Sequence, residues 1–298
     1  MTTTQFVFDA IGTIWTIDIS TPLSSGKQDL ILKKIKKRID IFDKTYSRFR
    51  NDSLVTKISQ KKGTYYFPED AEKLFLFYKE MHDVSNGAVT PLIGQALSDA
   101  GYDASYTLRP KTIHKTADWK SVLNYTHPEL RAKKPVLLDF GAAGKGYLID
   151  IIGKILKQSS VLDFCIDAGG DILQSSKQNS KIKIGLEHPK DPKKVIGVAN
   201  ISNQSICGSA GNRRTWGKFH HIINPYTLTS PKNILSTWAI ADSALLADGM
   251  TTCLFFVLGK ELKKKFDFEY FVLFDDYSYD ISSNFPAEVY TNVGTINT

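Results

Sequence analysis

Four stretches of this chain combine residue types that can do chemistry. The first, Asp139-Phe-Gly-Ala-Ala-Gly-Lys-Gly-Tyr147, joins an apolar run to an amphipathic one and carries a carboxylate, three glycines and a lysine. Main-chain N–H groups at a helix start attract anions, and glycines let a phosphate approach the backbone. Lys145 would add a point charge suited to a diphosphate. Neither standard phosphate-loop pattern fits. Gly146 stands where the P-loop wants Ser or Thr, and Ile149 stands where a dinucleotide fingerprint wants its last glycine. A purely structural turn stays open as a reading of this stretch.

The second stretch is Asp248-Gly-Met-Thr-Thr252. On a helix, positions i, i+3 and i+4 share a face, so Asp248, Thr251 and Thr252 can address one point. Carboxylate and hydroxyl oxygens are hard ligands, fit for Mg²⁺ and unfit for zinc. The alternative is a polar helix face whose threonines bond back to carbonyls. The third stretch is Lys218-Phe-His-His-Ile-Ile-Asn-Pro225. Consecutive residues of a strand face opposite ways, so one of His220 and His221 at most faces a site, where a neutral imidazole is a candidate general base. No further His or Cys stands near enough to suggest zinc. The fourth, Ile206-Cys-Gly-Ser-Ala-Gly-Asn-Arg-Arg214, reads as a ligand-wrapping loop offering two guanidinium groups to phosphate, or as a hairpin turn. No Gly-x-Ser-x-Gly elbow surrounds Ser209, so serine hydrolase chemistry has no support.

The elements that must position these residues can be read from periodicity. Residues 5–19 alternate as strand, with Gly12 marking a turn or bulge. Helices are expected over 28–43, 69–83, 147–157 and 243–258, the last capped by Asp242 or Ser243. Val136–Phe140 reads as a buried strand leading into the glycine segment. Further strands are expected at 162–167, 181–186, 195–201, 219–223, 234–241 and 268–274. Residues 100–135 give weak signals, and the last twenty or so are polar and expected to be loosely packed. The pattern predicts one α+β domain over residues 1–298, with mixed or antiparallel sheets flanked by helices.

Composition narrows the function class. The chain has 298 residues, 42% apolar and 23% charged, which suits a globular protein and excludes disordered, collagenous and repeat classes. A net charge of +7 suits an anionic ligand as well as a lysine-rich surface. The densest basic run, Lys33-Lys34-Ile-Lys36-Lys37-Arg38, lies on the polar face of a helix whose apolar positions are Leu30, Ile31, Ile35, Ile39 and Phe42. No nucleic-acid partner is therefore expected. Cys165, Cys207 and Cys253 form no CxxC pair, so free thiols and a reducing compartment are expected. The opening residues lack a basic n-region and a cysteine to lipidate, and the longest apolar run, Cys253–Leu258, cannot span a bilayer. Cytoplasmic location without membrane insertion is the expectation.

In order along the chain, eight stretches resemble the ApbE family of FAD:protein FMN transferases. They are Ile11-Gly-Thr13, Lys44-Thr-Tyr46, Asn86-Gly-Ala-Val-Thr-Pro91, Asp139–Tyr147, Asp167-Ala-Gly-Gly-Asp171, Cys207-Gly-Ser209, His221-Ile-Ile-Asn-Pro225 and Ala247-Asp-Gly-Met-Thr-Thr252. The resemblance implies a T-fold-like α+β architecture with its active site in a cleft between lobes. It further implies FAD as substrate, Mg²⁺ as cofactor, and transfer of FMN to a threonine hydroxyl of an acceptor protein with release of AMP. By position, Ile11, Tyr46, Ala88, Val89, Thr90, Asp139, Lys145 and Ile222 would contact the cofactor. The main-chain carbonyl of Ala142 would bind the metal with Asp248 and Thr252, Thr251 being an additional candidate. Asp248 and His221 would be the catalytic pair, with His221 as base. Three departures stand out: Ile11 where the family usually has Met, an apolar swap expected to be tolerated; Val89-Thr90 where it often has Phe-Asp; and Asn224 where it usually has Asp. A FAD pyrophosphatase and a non-catalytic FAD-binding protein are the competing readings.

Overall fold

The computed structural model describes residues 3–290. Among these it divides into two compact units, one formed by residues 3–39, 145–212 and 232–290, the other by 40–144 and 213–231.

The first unit is organised by an eight-stranded sheet, antiparallel at every pairing. Its order is Thr4–Ala10, Thr13–Ile19, Phe164–Ala168, Ile172–Ser175, Ser205–Ala210, Ile234–Ala241, Glu269–Phe274 and Tyr279–Ile281. Side chains alternate across a strand, and here the alternation separates two different jobs. Ile206, Trp238, Ile240, Phe271 and Leu273 pack into one apolar cluster with Leu186, Ile196 and Phe285. Their neighbours Cys207 and Thr237 point the other way, to the helix Ala244–Cys253: the Cys207 thiol lies 3.8 Å from the Ala244 carbonyl, and the Thr237 hydroxyl donates to that of Thr251 at 2.8 Å. A three-stranded sheet of Ala287–Val289, Asp191–Ile201 and Ile182–His188 completes the unit.

Two expectations change here. Ile206–Ala210 is not a ligand loop; it belongs to an inner strand between Ile172–Ser175 and Ile234–Ala241. Its small residues fit because a helix lies over them. The C-terminal stretch is also more structured than its polarity suggests. It supplies two strands and buries Phe285, while residues 291–298 lie outside the described residues.

The second unit has an aromatic core. Phe140 sits edge-on to Tyr46, Phe75 and Tyr78 at centroid distances of 5.2, 5.4 and 5.2 Å. Around it stand the helix Ala71–Val84, the end of the helix Ser25–Tyr46, and a small sheet of Gly63–Tyr66, Glu129–Ala132 and Leu123–Thr126. Val136–Phe140, expected as a strand, belongs to no ladder. Its backbone makes single bonds, Val136 N–H to Ile58 O at 3.3 Å and Asp139 N–H to Pro91 O at 2.8 Å. A short apolar run cannot by itself tell strand from buried coil. Among the described residues no helix is long and apolar enough to cross a membrane, and the three cysteines are free thiols.

Candidate functional site

The helix Ala244–Cys253 carries Asp248, and its start is held twice over. Ser243 caps it by accepting from Leu246 N–H at 3.3 Å, and the Asp150 carboxylate accepts from Ala244 and Leu245 N–H at 2.8 and 3.1 Å. An acidic group at a helix N-terminus also opposes the dipole favourably. Asp248 is only 5% exposed, and its Oδ2 accepts from Gly146 N–H at 2.8 Å. That contact explains the glycine. A Cβ at Gly146 would collide with the Ala244 carbonyl oxygen and with Asp248 Cβ, so only glycine lets the start of the helix Gly144–Gln158 come this close.

Beside Asp248 lies a pair that spacing did not reveal. Lys145 Nζ is 2.6 Å from Asp171 Oδ2, and Asp171 Oδ1 accepts from Gly208 N–H at 3.2 Å. Burial would lower the Lys145 pKa, but the Asp171 and Asp248 carboxylates outweigh it and hold the ammonium above its ordinary value. Burial, with the Asp171 charge behind it, pushes the Asp248 carboxyl well above the usual range despite Lys145. One cation therefore serves two carboxylates, and the second is poised to take more positive charge.

The two threonines differ. Thr251 is fully buried; its hydroxyl donates to Asp248 O at 2.7 Å and lies 2.8 Å from Ser209 Oγ. Thr252 is half-buried. The helical spacing that seemed to gather all three side chains instead turns Thr251 into the sheet. The donor chemistry, a carboxylate and a hydroxyl oxygen, still fits a hard cation such as Mg²⁺. Among the described residues no group of three His, Cys, Asp or Glu side chains is arranged to hold a metal ion.

The glycine segment is not an open phosphate cradle. Gly141 N–H donates to Asp139 Oδ1 at 2.7 Å, Ala142 N–H to Tyr78 Oη at 3.1 Å, and Gly144 N–H to Phe140 O at 2.8 Å. These donors, with that of Gly146, are spent on the fold. Asp139 Oδ2 pairs with Arg48 Nε at 2.5 Å, a partner sequence reasoning missed in the irregular stretch Tyr46–Ser53. Tyr46, expected at the flavin, is 4% exposed and packs as core among Phe42, Phe67 and Phe140. Its ring orders Phe140 and presents no open face.

Ala88, Val89 and Thr90 follow the turn Ser85–Gly87, with Val89 N–H bonded to Ser85 Oγ at 2.9 Å. Val89 and Thr90 are buried and Ala88 is half-buried. Thr90 caps the short turn Pro91–Ile93 by accepting from Leu92 N–H at 3.3 Å, a task a carboxylate could also perform. Asn224 likewise keeps a turn: its Oδ1 accepts from Tyr226 and Thr227 N–H at 2.9 and 3.2 Å. Both residues that depart from the family pattern thus make a local cap or turn bond.

The histidines separate clearly. His220 is 8% exposed, its Nε2–H donating to Pro231 O at 2.8 Å and its Nδ1 accepting from Ile222 N–H at 3.3 Å. Burial pushes its pKa down, keeping it neutral. It is a core histidine, and Ile222 beside it is buried. His221 is half-buried. In the first unit, Ile11 occupies the turn between the first two strands with φ +41°, ahead of Gly12 at φ +81°. Left-handed backbone at two successive positions is the hairpin turn that favours Asn-Gly, and a β-branched residue there is strained. Ile in place of Met is therefore not a neutral swap.

Comparison with known proteins agrees with this architecture. A model of the ApbE family matches residues 11–267. The chain is 24% identical over 275 residues to a FAD:protein FMN transferase of Buchnera aphidicola subsp. Schizaphis graminum, covering 85% of this chain and 79% of that protein. It is 21% identical over 272 residues to one of Klebsiella pneumoniae, covering 84% and 77%. The fold matches the ApbE protein of Thermotoga maritima at a TM-score of 0.81 with 19% identity, covering 95% and 97% of the two chains. It matches the flavin transferase ApbE of Vibrio cholerae at 0.78 with 16% identity and the same coverage.

Proposed function

Because the chain belongs to the ApbE family, we propose that it is a transferase that moves FMN from FAD to a threonine hydroxyl of an acceptor protein, releasing AMP, with Mg²⁺ as cofactor. The observation that carries the reading is the buried, pinned carboxylate of Asp248, whose pKa is pushed up beside Lys145 and Asp171. Burying a carboxylate with half a share in one lysine is costly, and a site for a cation explains the expense.

Asp248 and Thr252 would hold the ion, Thr251 being committed to Ser209 and its own helix. The family pattern adds the Ala142 carbonyl. When bound, Mg²⁺ would supply neutralisation of the diphosphate and of the departing AMP oxygen. The remaining work falls to the chain. Lys145, oriented by Asp171, keeps a positive charge near Asp248 without titrating. Asp139, oriented by Arg48 and the Gly141 N–H, and Ala88 contribute to FAD binding. His221 would take the threonine proton as the new P–O bond to FMN forms and the bond to AMP breaks.

The test incubates the protein with FAD, Mg²⁺ and a threonine-bearing acceptor peptide. Expected are covalent FMN on the peptide and AMP in equal amount. AMP with free FMN and no labelled peptide would make the protein a FAD pyrophosphatase instead. FAD bound with no Mg²⁺-dependent AMP release would make it a binding protein.

A further inference from the structure

Arg48 is more deeply buried than any role as a surface charge requires. Its side chain is 2% exposed, and that of its partner Asp139 is 12%. Nε binds Asp139 Oδ2 at 2.5 Å, and Nη1 donates to the Tyr102 carbonyl at 2.7 Å. The guanidinium carbon lies 4.2 Å from the Phe49 ring centroid and 4.7 Å from that of Tyr102. Two rings and two bonds thus fix one planar group. Nη2 is buried with no protein hydrogen-bond partner among the described residues.

The carboxylate it holds is fixed as firmly from the other side, where Oδ1 accepts from Gly141 N–H at 2.7 Å. Asp139 N–H in turn donates to Pro91 O at 2.8 Å, tying the carboxylate's backbone to the segment that follows Ala88–Thr90. A carboxylate engaged on both oxygens cannot rotate, so what it offers a ligand is a single orientation with acceptor capacity to spare. A lysine in place of Arg48 would keep the charge but lose the planar fork.

We propose that Arg48 is a positioning residue for FAD: it locks the Asp139 carboxylate into the orientation that recognises the cofactor. This rests on the reading that Asp139 belongs to the FAD site, and the experiment separates the two claims. FAD affinity is measured by flavin fluorescence, and KM for FAD and kcat by AMP release, for Arg48→Met, Arg48→Lys, Asp139→Asn and the double variant Arg48→Met/Asp139→Asn, each checked for a cooperative thermal transition.

Arg48→Met is expected to weaken FAD binding roughly tenfold or more, the scale of a lost charge-assisted bond. The effect should lie in KM with kcat largely kept, Arg48→Lys should recover part of it, and the double variant should be no worse than Asp139→Asn alone. A merely structural arginine would lower the melting temperature and leave the KM of the folded fraction unchanged. Unchanged FAD affinity in Arg48→Met, with Asp139→Asn impaired, overturns the role of Arg48 and leaves the FAD site standing. Unchanged affinity in Asp139→Asn removes Asp139 from the site and the proposal with it. If Arg48→Met does not fold, Arg48→Lys decides: an unaltered FAD KM there overturns the orientation argument, and a raised KM with kcat kept supports it.

Discussion

In the unit built on the eight-stranded sheet, one lysine faces two carboxylates; in the other unit, one arginine faces one. Lys145 is shared between Asp171 and Asp248, and burial, reinforced by the Asp171 charge, pushes the Asp248 carboxyl well above its ordinary range. Arg48 and Asp139 match one for one, and the surplus is a buried donor on Nη2. Both clusters are buried and both are pinned by main-chain N–H groups, so burial alone does not define their chemistry. The difference lies in the residual charge: the first cluster suits a cation, and the second, its charges matched, offers the fixed Asp139 carboxylate to a group that can donate a hydrogen bond.

Asp248→Asn tests the first cluster most severely. It should reduce Mg²⁺-dependent AMP release roughly a thousandfold, several kcal/mol of lost charge stabilisation, yet leave the metal-free melting temperature unchanged or higher, since the amide mimics a protonated acid. Retained activity would show that the Asp248 carboxylate holds no catalytic cation. Gly146→Ala should destabilise by about 3 kcal/mol or more through overpacking, read by urea unfolding; a small effect would mean that the helix starting at Gly144 can back away from Asp248. His221→Asn should slow transfer about a hundredfold, as loss of a general base does, while His220→Asn should cost stability and spare the rate.

A fourth prediction follows from Asp248's raised pKa. Its protonated form is favoured in the folded protein, so its contribution to metal-free stability is full below about pH 4 and is lost as pH rises toward the folded value. A bound cation must displace that proton. The thermal stabilisation given by saturating Mg²⁺ should therefore grow with pH in this window, by up to about 1.4 kcal/mol per pH unit. A pH-independent stabilisation would move the metal away from Asp248. Smallest of all, Ile11→Asn should stabilise the metal-free protein by about 1 kcal/mol by relieving the left-handed turn, measured as a shift in the denaturation midpoint.

Much of the fold could be read from pattern. The helices at Ala71–Val84 and Gly144–Gln158, and the strands at Ile234–Ala241 and Glu269–Phe274, announce themselves because their apolar period is carried by neighbours in sequence. Val136–Phe140 misleads because five apolar-rich residues look alike in a strand and in a buried coil. Ser205–Ala210 misleads because its small residues answer to a helix packed across the sheet, which no local window contains.

The candidate site divides the same way. By itself the sequence determined which residue types were available: Asp248 one helical turn before a threonine pair, Lys145 at a helix start, a histidine pair, and eight family stretches in order. The tertiary structure alone decided what each was for. It chose His220 for the core, sent Thr251 into the sheet, paired Lys145 with Asp171, and joined Arg48 to Asp139 across 91 positions of chain. It also gave the glycine segment a different meaning, a close approach of two helices at Gly146 in place of an open loop for phosphate. The physical reason is that donors, acceptors and charges are satisfied by whatever lies within about 3 Å, and proximity of that kind is set by packing.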